Sequence, residues 1–401
     1  GIAAIEAAPG RGAAPGHAHA IASALPGWDL AGVKWVTRRL MRIAADPARV
    51  EVTLDILTFL NDRRYDCGPM KRSAVLELVR GAINHVLDSV APVFDDQTSG
   101  LKRVTWQTRD LLRAPAASDT GLVIDARGFP PEDEDRDSAL LIKAFALGWR
   151  RFITYRMSGQ RFHGCGFGPD TAGVRLDLYG ASGDYIASGI DGMEVVIHDN
   201  GQDQLGQIMK QGRLVVHGDV GQAFMYGAKG GEVFILGNGA GRPLINAVGR
   251  PRVVINGTCL DFLAESFMAG DPHNGGGFVI LNGVEFDDHG KVRELPTPYP
   301  GANLFSLASG GAIFVRDPHR KLVPQQLNGG EYAEVTNEDW ELIRPYLQQN
   351  EQLFGIAIDD LLTVDGVKKD PAQVYRKIRP VKIAALAKSA VPDDASLKKA
   401  G

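Results

Sequence analysis

The side chains of this chain best suited to chemistry are its histidines, cysteines and aspartates, because these bind metals and exchange protons near neutral pH. His163 and Cys165 form a His-x-Cys pair, and both residue types are zinc ligands. A structural zinc site takes four ligands, and no second pair at a matching spacing follows in the sequence. The pair therefore favours a structural role over a metal centre.

Two further histidines lie close to the spacing of the repeat described below. His198 and His217 are 19 positions apart (217 − 198). If Gly192 is aligned with Gly212, His217 falls opposite Ile197, and the two histidines occupy different positions of the repeat. This alignment predicts no histidine ladder.

The same alignment superposes two Asp-x-Gly-Gln segments, residues 199–202 and 219–222. Identical polar side chains stacked on neighbouring strands usually hydrogen-bond along the stack. These segments therefore favour a structural ladder over a ligand-binding site.

A glycine-rich segment, residues 237–242, follows the apolar run EVFIL and is similar to a phosphate-binding loop. The dinucleotide fingerprint requires a third glycine where this chain has Arg242, and a helix after it. Pro243 follows instead, and another apolar run comes one period later. We predict a turn here and no nucleotide site.

Paired carboxylates, a Ser–His–Asp pattern and a nucleophile elbow do not stand out either. The sequence therefore predicts no catalytic, cofactor-binding or metal-ligating residue in this chain.

All of these candidates except His163 and Cys165 lie in a repeat that runs from Gly173 to about Gly283. Its Gly-rich blocks each follow a short apolar run and begin at residues 180, 198, 218, 237 and 257, so the steps are 18, 20, 19 and 20 residues. A fixed period with one β-run per unit is typical of stacked repeats, and glycine at recurring corners supplies positive φ or room for close approach. The predicted fold is mainly β: a right-handed parallel β-helix, a solenoid, with an N-terminal helical module and a C-terminal helical tail.

Four segments make up the predicted organisation. Residues 1–27, rich in Ala, Gly and Pro, are expected to form a flexible arm. Apolar residues at steps of three and four predict a helical module over 28–115, with a weaker fourth helix from about 101 to 112. The β-helix domain is predicted over 119–320, opened by a strand, a helix and a strand. A C-terminal extension over 321–401 is partly helical from Asn337 and ends in a polar tail.

Composition and charge restrict the class of protein. The formal net charge is −4 with both signs mixed, which predicts no nucleic-acid partner, and no apolar run reaches the ~18 residues of a membrane span. Three dispersed cysteines fit a reducing cytoplasm and are too few to hold an iron–sulfur cluster, which takes four thiolates. Five arginines of the helical module are expected to be a solvated face rather than a site for an acidic partner: Arg38, Arg39, Arg42, Arg63 and Arg64.

The repeat also carries a family resemblance. The segments GASGDYIASGIDG, MYGAKGGEVFILGNGAGRPLINAVG (residues 225–249) and FLAESFMAG place several glycines, a Tyr-Gly pair and an Ala-Gly-Arg corner in a fixed order. This order resembles the C-terminal GXGXG domain of the glutamate synthase large subunit, and it is also similar to one of the subunits of formylmethanofuran dehydrogenase. The resemblance covers about residues 119–318.

The resemblance implies a structural role. In glutamate synthase this domain packs between catalytic parts that lie elsewhere: a glutamine-hydrolysing N-terminal cysteine, and a flavin barrel with an iron–sulfur loop. Neither part is recognisable in this sequence, in which the first cysteine is Cys67. The resemblance therefore implies a non-catalytic scaffold subunit of a cytoplasmic, multi-subunit flavin and iron–sulfur oxidoreductase, with FMN or FAD and the clusters in partner subunits.

Two hypotheses remain open at this point. Besides the scaffold role, the chain could complete a substrate or cofactor site in a metal-pterin dehydrogenase complex of the formylmethanofuran dehydrogenase type. In both cases we expect an obligate hetero-complex, because the short amphipathic helices of the module must bury their apolar stripes somewhere.

Overall fold

The computed structural model describes residues 11–381. The helices are α1 Ala14–Ala24, α2 Leu30–Ile43, α3 Val50–Asp62, α4 Arg72–Asp88, α5 Asp137–Ala146, α6 Asn337–Phe354, α7 Ile358–Leu362 and α8 Pro371–Val374. The strands are β1 Gly100–Val104, β2 Asp119–Asp125, β3 Arg151–Ser158, β4 Arg175–Ala181, β5 Asp191–Ile197, β6 Gln211–Val216, β7 Glu232–Ile235, β8 Arg252–Ile255, β9 Phe278–Leu281, β10 Val284–Phe286, β11 Val292–Glu294, β12 Ala312–Arg316, β13 Gly330–Ala333, β14 Thr363–Val364, β15 Val367–Lys368 and β16 Tyr375–Pro380.

Twelve of these strands form one sheet in the order β1-β2-β3-β4-β5-β6-β7-β8-β9-β12-β16-β13. Each strand from β1 to β9 pairs in parallel with the next, and β12 continues the parallel order beside β9. β16 runs antiparallel between β12 and β13. Two separate hairpins are formed by β10–β11 and β14–β15.

The predicted right-handed parallel β-helix is therefore wrong. The chain forms a large, mostly parallel, open sheet with helices, an arrangement of the α/β type. A period near twenty residues corresponds to the step from one parallel strand to the next. That period does not depend on the overall shape of the sheet or on the helices outside the repeat, so the period alone could not decide the architecture.

The turns between the strands are also hydrogen-bonded to one another. Gly206 N donates to Ile186 O of the preceding turn at 2.8 Å. One turn later, Met225 N donates to Leu205 O in the same way. Gly239 forms bridges to the preceding and the following turn. Residues 237–242 are part of this stack and no helix follows them, so the predicted turn is confirmed.

The N-terminal region differs from the prediction at two places. Residues 14–24 form helix α1, so the arm expected over 1–27 is wrong for its described part, and residues 1–10 lie outside the described residues. The fourth helix expected from 101 to 112 is strand β1 followed by a 3-10 helix, Trp106–Leu111. Pairing of β1 with β2 overrides the local helical spacing, because it buries Leu101 and Val104.

The other elements with strong sequence signals are confirmed. The strand, helix and strand expected after Asp119 are β2, α5 and β3. The C-terminal helix predicted from Asn337 is α6, which begins with a capping box between Thr336 and Asp339 and is capped at its C-terminal end by Gly355 in the left-handed conformation. The predicted polar tail, from Lys388, lies outside the described residues.

Helices lie on both faces of the sheet, and most of them cover one face. Apolar side chains of α1 to α4 pack on the side chains that β2, β3 and β4 present on that face, and α6 packs on those of β5 to β12. The opposite face forms the largest core with α5 and the side chains of the turns. Within the described residues, no helix is long and apolar enough to cross a bilayer.

Candidate functional site

A group of four buried ionisable side chains lies where the helical layer meets the sheet. Asp62 is the last residue of α3, Asp177 lies in β4, and His198 and His217 directly follow β5 and β6. All four side chains are buried. We call these four residues the Asp–His cluster.

The structure corrects the prediction about the histidines. Ile197 pairs with Val216, so His198 lies beside His217, and their rings are 14° from parallel with centroids 5.6 Å apart. The pairing offset between β5 and β6 is 20 residues at Asp191 and 19 from Glu194 onward, because the register shifts between these two residues. The alignment of Gly192 with Gly212 lies before this irregularity and therefore does not hold for the histidines.

His198 is held between two carboxylates. Its Nδ1 lies 2.8 Å from Asp62 Oδ2, and its Nε2 lies 3.2 Å from Asp177 Oδ1. His217 Nε2 is 3.4 Å from the same Asp62 oxygen. Arg175 forms a bidentate ion pair with Asp177, at 2.9 and 2.8 Å, which adds a second cation to the group.

The two histidines have opposite pKa shifts. Burial alone would lower the pKa of His198, but the charges and hydrogen bonds of Asp62 and Asp177 outweigh it and raise the pKa to about 9. Burial lowers the pKa of His217 to about 4, against the opposing charge of Asp62. At neutral pH His198 is therefore an imidazolium and His217 a neutral imidazole.

The carboxylates respond to these neighbours. Burial would raise the pKa of Asp62, but the two histidines lower it to about 2. Burial would also raise the pKa of Asp177, but the hydrogen bond from His198 and the interactions with Arg175 hold this pKa well below the usual range. Both carboxylates are therefore ionised at neutral pH, with the charge of His198 between them.

Neighbouring polar groups tie the cluster to the helical layer. Asn61 Nδ2 donates to His198 O at 2.8 Å, and Arg64 Nη2 donates to His217 O at 3.4 Å. Thr58 Oγ1 and the hydroxyl of Tyr179 are 2.7 Å apart. The end of α3 is thus bonded to the ends of three successive strands.

Asp62, His198 and His217 are also residue types that bind divalent ions, and their ligand atoms lie within 4.8 Å of one another. The Tyr179 and His198 rings are stacked 4.2 Å apart, and His217 is nearly parallel on the other side of His198. An ion bound to an imidazole nitrogen lies in the plane of the ring, and one ion cannot lie in two stacked planes. With these side-chain orientations the cluster fits a shared proton better than a shared ion.

The polar ladder exists, but with other members than predicted. The register places Asp219 beside Asn200, and Asn200 Oδ1 accepts from Asp219 N at 2.8 Å. Asp219 Oδ1 accepts from Asn238 N, and Asn238 Oδ1 accepts from Thr258 N. The two Asp-x-Gly-Gln segments are therefore offset by one residue, and the ladder consists of side-chain oxygens that bind the next turn's backbone.

His163 and Cys165 do not point to a common ligand. His163 Nε2 is paired with Asp137 Oδ2 at 3.0 Å in a fully buried contact, and Cys165 Sγ donates to Tyr185 O. Burial raises the pKa of the Cys165 thiol to about 11, so this thiol is protonated at neutral pH. Both side chains have structural contacts.

A family model described as GXGXG motif matches residues 150–369. This is more than half of the chain. The chain belongs to the GXGXG motif family. The model is of the type found as the C-terminal domain of the glutamate synthase large subunit, and the similarity to formylmethanofuran dehydrogenase is not shown. No curated protein matches the chain.

The Asp–His cluster is the group that sequence reasoning missed. Its signal was the 19-residue separation of His198 and His217, which equals the pairing offset that holds from Glu194 onward. Asp62 carried no such signal, because it lies outside the repeat and reaches the histidines only through the packing of α3 on the sheet.

Proposed function

We propose that this chain is a non-catalytic structural subunit of a multi-subunit flavin and iron–sulfur oxidoreductase of the glutamate synthase type. The observation that carries the proposal is the GXGXG family membership over residues 150–369, which include strands β3 to β12. Flavin and clusters belong to partner subunits in this proposal.

The buried polar groups of the chain support a structural role. The Asp–His cluster joins α3 to the sheet with side chains that are more than nine-tenths buried. A general acid or base must reach a proton of the substrate within hydrogen-bond distance, and these groups are occupied by one another. Their geometry suits holding two layers together.

A second buried network has the same function on the other half of the sheet. Asn256 in the turn after β8 and Asn350 in α6 exchange two amide hydrogen bonds of 2.8 Å, and Asn282 donates to Asn256 at 2.9 Å. A fully satisfied buried network fixes one relative position of two elements. Such rigidity is what a scaffold requires.

The test is purification of the tagged full chain from its native host under mild conditions, followed by identification of the co-purifying proteins and by flavin, iron and glutamate-formation assays. We expect a complex that contains flavin and iron and forms glutamate from glutamine, whereas the chain made alone binds no flavin. Stoichiometric flavin on the isolated chain, or a catalytic activity of the isolated chain, would overturn the proposal.

The same cofactor analysis distinguishes the proposed function from the alternative hypothesis, a metal-pterin dehydrogenase complex. Molybdenum or tungsten with a pterin in the purified complex would indicate a metal-pterin dehydrogenase in which this chain completes a site. A complex without any redox cofactor would contradict both.

A further inference from the structure

We propose that this chain self-associates through two complementary surfaces, the outer face of α2 and an acidic loop with its adjoining groove. This inference is independent of the proposed function. The occupant of the α2 face is the acidic loop of a second copy of the chain.

The first surface, the basic face, consists of Lys34, Trp35, Arg38 and Arg42 on the solvent side of α2. The opposite side of the helix is buried in the helical layer. α2 contains four cations and no anion, although the whole chain has a net charge of −4. Positions 35, 38 and 42 lie on one face of a helix, because side chains three and four residues apart are neighbours.

The basic face has no partner within the part of the chain that the structure describes. Trp35 is 57% exposed, which is unusual for the largest apolar side chain. Arg38 and Arg42 are exposed and form no ion pair with residues 11–381. Tryptophan and arginine are among the residue types most enriched at the positions that dominate binding energy in protein interfaces.

The second surface, the acidic loop, is the exposed segment from 132 to 135 between β2 and α5. Glu132 is already paired with Arg161 at 2.9 Å. Asp133, Glu134 and Asp135 form no ion pair within the described residues. Three carboxylates are thus available to Lys34, Arg38 and Arg42 of another copy.

A groove of about 250 Å³ adjoins the acidic loop. Its apolar wall contains exposed Leu147 beside partly or fully buried side chains: Leu112, Phe129 and Leu140. Its cations are Arg109, Arg136 and Lys143. Arg109 lies 3.7 Å from the Trp106 ring centre, and Arg136 donates to Asp133 O, so both point into their own chain. The groove therefore offers apolar contact for the Trp35 indole next to carboxylates for the arginines.

The two surfaces belong to different elements, so the contact is heterologous: each copy uses its basic face on one neighbour and its acidic loop on the other. Such contacts close into rings or extend into open chains. Because the ion pairs are at the surface, the association is weakened by salt.

The test is sedimentation velocity of the full chain over a wide concentration range, in low salt and in about 0.5 M salt, where the screening length is only a few ångströms. We expect concentration-dependent association that is lost in high salt. Arg38→Glu with Arg42→Glu, and separately Glu134→Lys with Asp135→Lys, should each weaken it by at least ~10-fold. Trp35→Ser should also weaken the association by at least ~10-fold.

Mixing the two charge-reversed variants supplies the decisive arm. The mixture should associate again, because each reversed surface finds a reversed partner and each native surface a native one. Leu307→Ser, at an exposed residue on a turn outside both surfaces, is the matched control and should leave association unchanged. Unchanged melting temperatures show that the variants fold.

Three outcomes overturn the proposal. They are a wild-type chain that stays monomeric in low salt, an association that survives both charge reversals, and a mixture that does not recover. The first of these outcomes includes a monomeric chain whose basic face binds a different acidic protein.

Discussion

At the scale of single residues, the main feature of this protein is an imidazolium buried between two carboxylates. The charge of His198 is maintained only because Asp62 and Asp177 compensate for its burial, and Asp62 comes from a different layer of the molecule. A proton on one side chain thereby stabilises the packing of α3 on the sheet.

This charge predicts a loss of stability at alkaline pH. The pKa of His198 is raised in the folded chain to about 9 from an ordinary value of 6.5, so its contribution is fully present below 6.5 and is lost as the pH rises to about 9. The contribution is on the order of 3 kcal/mol. Unfolding by denaturant at pH 6.5, 8 and 9.5 should show the decline, and an NMR titration of the His198 ring should show the raised pKa directly.

The matched variants separate His198 from other groups. His198→Gln should be less stable at pH 6.5 and should lack this alkaline decline, whereas His289→Gln, at an exposed histidine, should behave as the wild type. A His198 ring that titrates near 6.5 would contradict the assignment.

His217 predicts the opposite change on the acid side. Its pKa is lowered to about 4 in the folded chain, so the unfolded chain binds a proton that the folded one does not, and stability falls as the pH decreases from about 6.5 to 4. His217→Asn should reduce this acid slope in the same denaturant assay. An unchanged slope would show that other groups cause it.

At the scale of elements, the recurring glycines are required for two different reasons. The sequence left two reasons open for glycine at the recurring corners, positive φ or close approach, and of the pair Gly221 and Gly227 only Gly227 has a positive φ, at +59°. The neighbouring turns place Ile208 and Asn246 at similar positive φ, so a side chain is tolerated there. A Cβ on Gly221 would lie 2.1 Å from Asp203 Oδ1 and 2.6 Å from the backbone carbon of Gln202.

We therefore predict different effects for the two glycines. Gly221→Ala should destabilise by roughly 2–4 kcal/mol, because successive turns must move apart, whereas Gly227→Ala should cost roughly 1 kcal/mol of backbone strain. Denaturant unfolding of both variants measures the difference. Equal costs would show that the close approach of the turns is not what requires glycine at 221.

The amide pair between α6 and the sheet gives a second prediction at this scale. Asn350→Ala removes two buried hydrogen bonds of Asn256, one from each of its amide atoms, and should cost roughly 1–3 kcal/mol. In a double-mutant cycle with Asn256→Ala the two costs should not add, because the variants remove the same bonds. Gln348→Ala, on the exposed side of α6, is the control, and additive costs would argue against the pair.

At the scale of the whole molecule, the helices bury their apolar stripes within the chain. The stripes of α1 to α4 pack against one another and against Val123, Ile153, Tyr155 and Tyr179 of the sheet. The expectation that these helices require a partner protein to bury them is therefore wrong. Association with other proteins of a complex rests on the proposed function alone.

This packing also predicts how a truncated chain behaves. Deletion of residues 1–115 removes β1 and the helical layer, exposes that face of the sheet, and leaves His198 without Asp62. We predict that the truncated chain aggregates, because large apolar surfaces and open sheet edges invite association. Solubility and circular dichroism measure this, and a soluble fragment with a cooperative unfolding transition would contradict it.

The sequence alone determined the strands of the repeat, their parallel order and the helices with strong periodic or capping signals, such as α4 and α6. These features depend on interactions between residues close in sequence or one period apart. Only the tertiary structure decided that the sheet is open, with α1 to α4 and α6 on one face and α5 on the other. It also decided that a register shift places His198 beside His217 and that α3 brings Asp62 to both. A register shift of one residue changes the pairings that follow it along the two strands, and the docking of a helix depends on contacts between residues more than a hundred positions apart. Neither can be predicted from a local sequence pattern.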